Sequence, residues 1–474
     1  MIISDSCCRI ECLSSWQGSI FFERGTLDVN NFLSKFKLDA HHTIERFGVF
    51  VLVLTIITSM LMTSIIITKV TTDAETMTDK AIYTTSFTTS LSDINGTVES
   101  AYRNKDMTDF FLLLKFEDVS KISSDANDYQ LFLTACDLSG NLQSLKSTPA
   151  AMVYMFGSSG YMGLHFVNND GFPQQIYHLI VRSNSSYVSK SVEDATESPD
   201  KSSDESFKSH DQFTVNFNPG GADAKVVSFL DEEEMSIYDV FYTTVIKDQE
   251  AEQRKVLNTD LANMYASLAQ IDKYAKLLEN DSKDSNGNYI VAPDLPAVIR
   301  NDKVIAKKDG EMLVRDRDMW KSSADEVVKE DNVMYYFNTD YVVPQGFDFN
   351  WQDSSIKDGY LKHLCPDGDY VKYFNDKASE SISDADLMTT ANIKFYYKNG
   401  TEFKYDSGKN TTNREAKLNT DIQNLLTEWQ NYYNLKKAYQ TTDLQKLLML
   451  ELDTIDAANS WTRTDGTTTV LYTY

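Results

Sequence analysis

The sequence predicts an α+β ectodomain carried on one transmembrane helix, with a membrane-proximal β-sandwich followed by a paired-helix stalk that bears an inserted β-rich head. Three observations predict it. They are an unbroken apolar run at 47–68, a series of short β-rich runs between 81 and 187, and two long helical stretches containing nearly the same heptapeptide.

The run FGVFVLVLTIITSMLMTSIIIT lies between Arg46 and Lys69. At about 1.5 Å per residue it reaches roughly 33 Å as a helix, enough for a hydrocarbon core of about 30 Å. A cleaved leader has a shorter apolar region ending in small residues, whereas this run ends in IIITKV. No polar face interrupts it, unlike an ordinary core helix. The lipid bilayer is therefore the expected partner of 47–68. Lys35, Lys37 and Arg46 precede the span, and a short tail precedes a long polar body. The expected topology is a cytoplasmic amino terminus and an extracellular body.

Residues 1–46 are read as the cytoplasmic tail. Glu23, Arg24 and Gly25 can be encoded by GAAAGAGGN, which resembles a bacterial ribosome-binding site, so that Leu27 or Val29 supplies the start and 1–28 are not translated. Cys7, Cys8 and Cys12 fall in that stretch. No histidine or further cysteine completes a metal set beside them, and lipidation is the other reading.

Residues 1–69 contain six basic and six acidic side chains, so the whole net charge of −25 belongs to the body beyond. Such a field repels nucleic acid, and no nucleic-acid partner is expected. Only Cys136 and Cys365 remain in the body. That count excludes a disulfide-built scaffold and suits a Gram-positive envelope; the two are read as buried small hydrophobes, with a single bridge as the alternative.

From 81 to 187 the runs GTVESAY, DFFLLLKFE, DYQLFLTA, AAMVYMFG, YMGLHFVN and QIYHLIVR alternate with turn-forming connectors, the pattern of a β-sandwich domain. Phe110–Phe116 is apolar on both faces and reads as a central strand. In QIYHLIVR, Tyr177, Leu179 and Val181 share one face and His178 lies on the other, as a structural histidine. Residues 188–212 form an acidic, serine-rich linker or loop. FTVNF and AKVVSFL add two strands after it.

Residues 213–474 are read as the helical-stalk domain, with a β-rich insert at about 281–408. LNTDLAN at 257–263 and LNTDIQN at 418–424 each belong to a helix with a heptad seam. Leu257, Leu261, Met264, Leu268 and Ile271 line one seam, and Leu418, Ile422, Leu425, Trp429 and Tyr432 the other. The expected partner of each is the other copy within the chain; pairing with a second subunit makes a homo-oligomer. In the insert, NIKFYYKNGTEFKY predicts a hairpin with a type I′ turn at Asn399-Gly400. Further strands are expected at EMLVRDR, NVMYYFN and TDYVVP.

The chain holds six histidines, scattered, and no phosphate-cradling glycine loop. His363 with Cys365 reads as a turn near Pro366 rather than a nucleophile with its base. DSNGNY places its glycine fourth where a calcium loop needs it sixth. The pairs Asp316 with Asp318 and Asp367 with Asp369 read as solvated loops. No catalytic residue, metal or cofactor is therefore expected, and the protein is not expected to be an enzyme. Phe347, Phe349 and Trp351, spaced i, i+2, i+4, form the candidate aromatic binding patch if they lie on a strand.

The expected function is that of a single-pass, membrane-anchored structural or protein-interaction component of a bacterial cell envelope, with protein partners in a secretion or conjugation apparatus. A membrane-anchored enzyme or binder of cell-wall polysaccharide, and an accessory signalling ectodomain, are the alternatives.

Overall fold

The structure is a computed structural model. It describes residues 79–184, 210–313, 332–352, 354–380, 393–405, 412–465 and 469–470, with Thr55, Thr58 and Ser59. The chain divides into two compact units, Met1–Glu75 and Thr76–Tyr474. In the first, the three described residues are helical and the Thr58 hydroxyl donates to the Thr55 carbonyl at 3.0 Å. The tail at 1–46 and the rest of the 47–68 run lie outside the described residues, as does most of the 188–212 linker.

The fold class is corrected on one point. Among the described residues no helix is long and apolar enough to cross a membrane, so an ectodomain on one transmembrane helix is not shown. The longest helix, Lys247–Ser282, runs 36 residues but begins KDQEAEQRK and carries charge along its length. Such side chains are costly in a bilayer and suit a helix wetted on one face. What the structure shows is mixed α/β content built on antiparallel sheets.

The second unit opens with β1 (Ser86–Thr88), β2 (Asn95–Arg103), β3 (Asp109–Phe116), β4 (Tyr129–Cys136), β5 (Leu142–Gln143), β6 (Ala150–Phe156), β7 (Tyr161–Val167) and β8 (Ile176–Ser183). After the linker come β9 (Gln212–Phe217) and β10 (Lys225–Val226). One sheet runs β1-β2-β3-β7-β6 and the other carries β4-β8-β9. Two short strands from the far end of the chain extend both: Trp461–Arg463 pairs antiparallel with β6, and Thr469–Val470 pairs parallel with β4.

Strand alternation explains the two-faced apolar run in β3. Phe110, Leu112, Leu114 and Phe116 enter the core between the sheets, with Val153 and Leu164 of neighbouring strands and Tyr177, Leu179 and Val181 of the opposite sheet. Phe111 and Leu113 point the other way, with Tyr102, Tyr154 and Phe156, into a second core that the helices cover. A Cβ at Gly163 would lie 2.3 Å from Phe111 Cζ, so only glycine lets that ring lie across β7.

The helices are α1 (Ile237–Phe241) and α2 (Lys247–Ser282), joined by a π turn at Tyr242–Ile246. Within the insert lie α3 (Ala297–Arg300), α4 (Tyr360–Leu364) and α5 (Tyr370–Ser379). Then come α6 (Asn413–Ala438) and α7 (Leu444–Ser460), joined by a second π turn at Tyr439–Asp443. Thus α2 and α6 pack antiparallel within the chain: Lys417 pairs with Asp281 at 2.8 Å near one end, and Gln253 donates to the Asp443 carbonyl at 3.0 Å near the other. Leu257, Leu261, Met264, Ile271, Leu418, Ile422, Leu425, Trp429 and Tyr432 are buried in the shared core, with Leu268 partly buried against it. The helices share this core with the outer face of the larger sheet; they are not a free-standing stalk.

The insert adds two three-stranded sheets: β11 (Ile290–Val291) with β15 (Phe395–Tyr397) and β16 (Glu402–Phe403), and β12 (Lys303–Lys308) between β13 (Glu311–Met312) and β14 (Val333–Asn338). The type I′ turn sits at Asp309-Gly310, where both residues have positive φ, 51° and 86°. At Asn399-Gly400 only the glycine is left-handed, at 86°, and Gly400 N–H donates to Tyr397 O while Tyr397 N–H donates to Thr401 O. That is a type I turn ending in a bulge, one residue longer than the sequence pattern predicts. The expected strand TDYVVP is irregular, and all but the first three residues of EMLVRDR lie outside the described residues.

Candidate functional site

Two buried charge networks hold the insert against the helix pair. Lys436 is fully buried, and its ammonium donates to Val298 O at 2.9 Å and Tyr341 O at 2.7 Å while pairing with the Asp302 carboxylate at 2.9 Å. Tyr432 OH donates to Asp302 at 2.9 Å, and Thr339 donates to it as well. Burial pulls the lysine down and pushes the carboxyl up, and their mutual attraction opposes both shifts. In the second network, Arg254 binds Glu250 at 2.7 Å and donates to the carbonyls of Trp351 and Ser354 at 2.5 and 2.6 Å. Tyr242 OH, from the first π turn, donates to Glu250 at 2.8 Å.

These contacts settle where the aromatic candidates lie. Residues 347–351 are irregular, not a strand, so the three side chains do not share a face. Phe347 is buried against Tyr373 and Phe374, Phe349 packs on Tyr360 at 4.9 Å, and Trp351 is buried with its indole N–H donating to Tyr439 OH at 3.0 Å. They fill the core and present no exposed patch. His178 is bonded to Asn216 at 2.7 Å across β8 and β9. Cys136 and Cys365 are buried and free, and the hydrogen bond that the Cys365 thiol donates to Asp367 at 2.8 Å, ahead of burial, raises its pKa.

A groove of about 960 Å³ runs between β15–β16 and α6. Its upper wall is aromatic: Phe395 is buried beneath half-buried Phe403 and Tyr405, with the Phe395 and Tyr405 rings 6.1 Å apart. Its floor is the outer face of α6, where Gln423, Thr427, Gln430, Asn431 and Asn434 recur at helical spacing. Over the eleven steps from Gln423 to Asn434 that stripe is about 16 Å long. Tyr405 OH donates to Gln423 Oε1 at 2.7 Å and spans the groove; burial raises its pKa and keeps the phenol protonated. Lys394 and Glu402, 3.9 Å apart, and Lys404 supply the charge.

A second depression of about 350 Å³ lies between α2 and α6 and shares Asn431 with the groove. Asn263, Ser267 and Gln270 line it from α2. Glu428 of α6 lies between the two, accepting from the Ser267 hydroxyl and from Asn431, so the surface is mainly carboxamides and hydroxyls with one carboxylate in its middle. A signal for it stood in the sequence: an uncharged polar stripe at i, i+4, i+7 and i+11 in a chain with 24% charged residues. Heptad reading looks for the apolar side of a helix and passes over the opposite one. Among the described residues, no three His, Cys, Asp or Glu side chains cluster as metal ligands. No protein family model, curated protein or solved structure matches this chain.

Proposed function

We propose that this protein is an interaction component of a cell envelope, and that it works by holding an extended partner in the groove between the β15–β16 hairpin and α6. The observation that carries the reading is the groove itself. At about 960 Å³ it is at the upper end of the size of ligand sites, with an aromatic wall facing convergent polar side chains. The acidic, cysteine-poor composition supports the setting.

The test is affinity purification of the full chain from its native cells beside a variant with Gln430→Lys and Asn434→Lys, both exposed or half-exposed on α6. A partner recovered by the parent and lost by the variant, at equal melting temperature, supports the reading. Equal recovery by both, or recovery of monomer alone together with turnover of wall polysaccharide, overturns it.

A further inference from the structure

Resting on the groove being a binding site, we propose that its ligand is an uncharged oligosaccharide.

Each carboxamide offers two donors and two acceptor lone pairs. Bonds within the protein use only part of that capacity: Gln423 accepts from Tyr405 and donates to Thr427 at 3.3 Å, and Gln430 donates to Asn434 Oδ1 at 3.1 Å. Asn431 donates to Glu428 at 2.9 Å. These i, i+3 and i, i+4 bonds fix the amides as planar arrays while each keeps donors and acceptors side by side. A phosphate or carboxylate ligand only accepts, and an ammonium only donates, so half of such an array would be left unpaired by either. A vicinal pair of hydroxyls does both. The α6 floor of the groove carries no charged side chain, and on the wall Lys394 lies 3.9 Å from Glu402, which leaves Lys404 as the one unbalanced charge of the lining and a weak pull on either an anionic or a cationic ligand.

The wall complements this. Phe403 at the end of β16 and Tyr405 just after it present half-buried rings, and a flat apolar ring with a polar tip suits the alternating C–H and O–H faces of a pyranose. A peptide strand is the competing occupant. It would need a run of unpaired backbone groups to extend, and β16, the edge of its sheet, is two residues long.

The test is isothermal titration of the full chain with four probes: tetramers of β-1,4-linked N-acetylglucosamine, of β-1,4-linked glucose and of galacturonate, and an uncharged alanine-serine octapeptide. The expected result is binding of one or both neutral tetramers, unchanged between 50 and 500 mM salt as befits an uncharged ligand, on the order of the screening range. Tyr405→Ala and Asn434→Asp should each weaken it by about tenfold, and Tyr405→Phe by less, at unchanged melting temperature. Tighter binding of the galacturonate tetramer overturns the uncharged character of the ligand, and binding of the octapeptide alone overturns the oligosaccharide class, each while leaving the groove in use. So does a groove-dependent partner with no tetramer bound. Tetramer binding that all three variants leave intact places the ligand elsewhere and overturns the assignment.

Discussion

At the scale of single residues, the charges that matter most are inside. Lys436 and Asp302 are both fully buried, and each hydrogen-bonding position of the ammonium is met by Val298 O, Tyr341 O or the carboxylate. A buried pair of this kind contributes little over an apolar one, because desolvation offsets most of the attraction, but removing one partner strands the other. Lys436→Met should therefore destabilise the protein by about 3–5 kcal/mol in urea unfolding, through uncompensated Asp302. Replacing Lys436 and Asp302 together should recover much of that loss, and an additive double mutant would show that the two do not act as a pair. Arg254 works similarly for the 351–360 segment, since one guanidinium joins Glu250 to two carbonyls that have no ladder to pair with.

At the scale of elements, both long helices break register once, and each break is used. A π turn adds a residue and leaves carbonyls over. Thr244 O accepts from Tyr102 OH of the sheet at 3.2 Å, and Gln440 O accepts from Phe347 N–H of the insert at 2.8 Å. Beside the second turn, Asp260 of α2 faces Asp443, with Lys446 alongside. Burial first, and then the Asp443 charge, push Asp260 up to about 7; burial pushes Glu451 of α7 to about 7 as well, with Glu250 nearby. Unfolded carboxyls titrate near 4, so between about pH 4 and 7 the folded chain holds more protons. Stability from these groups is full below about pH 4 and is lost as pH rises through 7. Asp260→Asn should raise the melting temperature at pH 8 by about 2 °C and leave it nearly unchanged at pH 4. An equal shift at both pH values would mean that the carboxyl pair is not the cause. The heptad seam was legible because apolar side chains at 4 and 3 spacing have few other uses. Its antiparallel sense was not, since Lys417 with Asp281 is visible only once the helices are side by side. The Asn399-Gly400 pair predicted a hairpin correctly but not its loop, because Gly400 alone takes positive φ and the chain absorbs the extra residue as a bulge. Trp461–Arg463 was illegible as a strand: it is three residues long, and beside its pairing with β6 it is held by the Thr462 hydroxyl, which accepts from Ala126 N–H and donates to Ser124 O.

At the scale of the second unit, the larger sheet is the shared wall of two cores. One face meets the smaller sheet; the other, through Tyr102, Phe111, Leu113, Tyr154 and Phe156, meets α1, the first π turn and α7, with α2 completing the same core. Phe241 of α1 sits at that boundary, its ring 5.3 Å from Phe156 and 6.0 Å from Tyr161. A sheet stripped of the helices would expose several large apolar side chains in one patch, which favours aggregation over independent folding. The sandwich and the helices should therefore unfold together, even though a chain of this size has room for separate domains. Phe241→Ala removes a buried ring and should cost about 3–5 kcal/mol. If the wall is shared, hydrogen exchange will show slow amides in β3 and β7 losing protection in step with those in α2 and α6. If the two layers are autonomous, the substitution will release the helical amides while the sandwich amides keep their original protection, and the unfolding curve will split into two transitions.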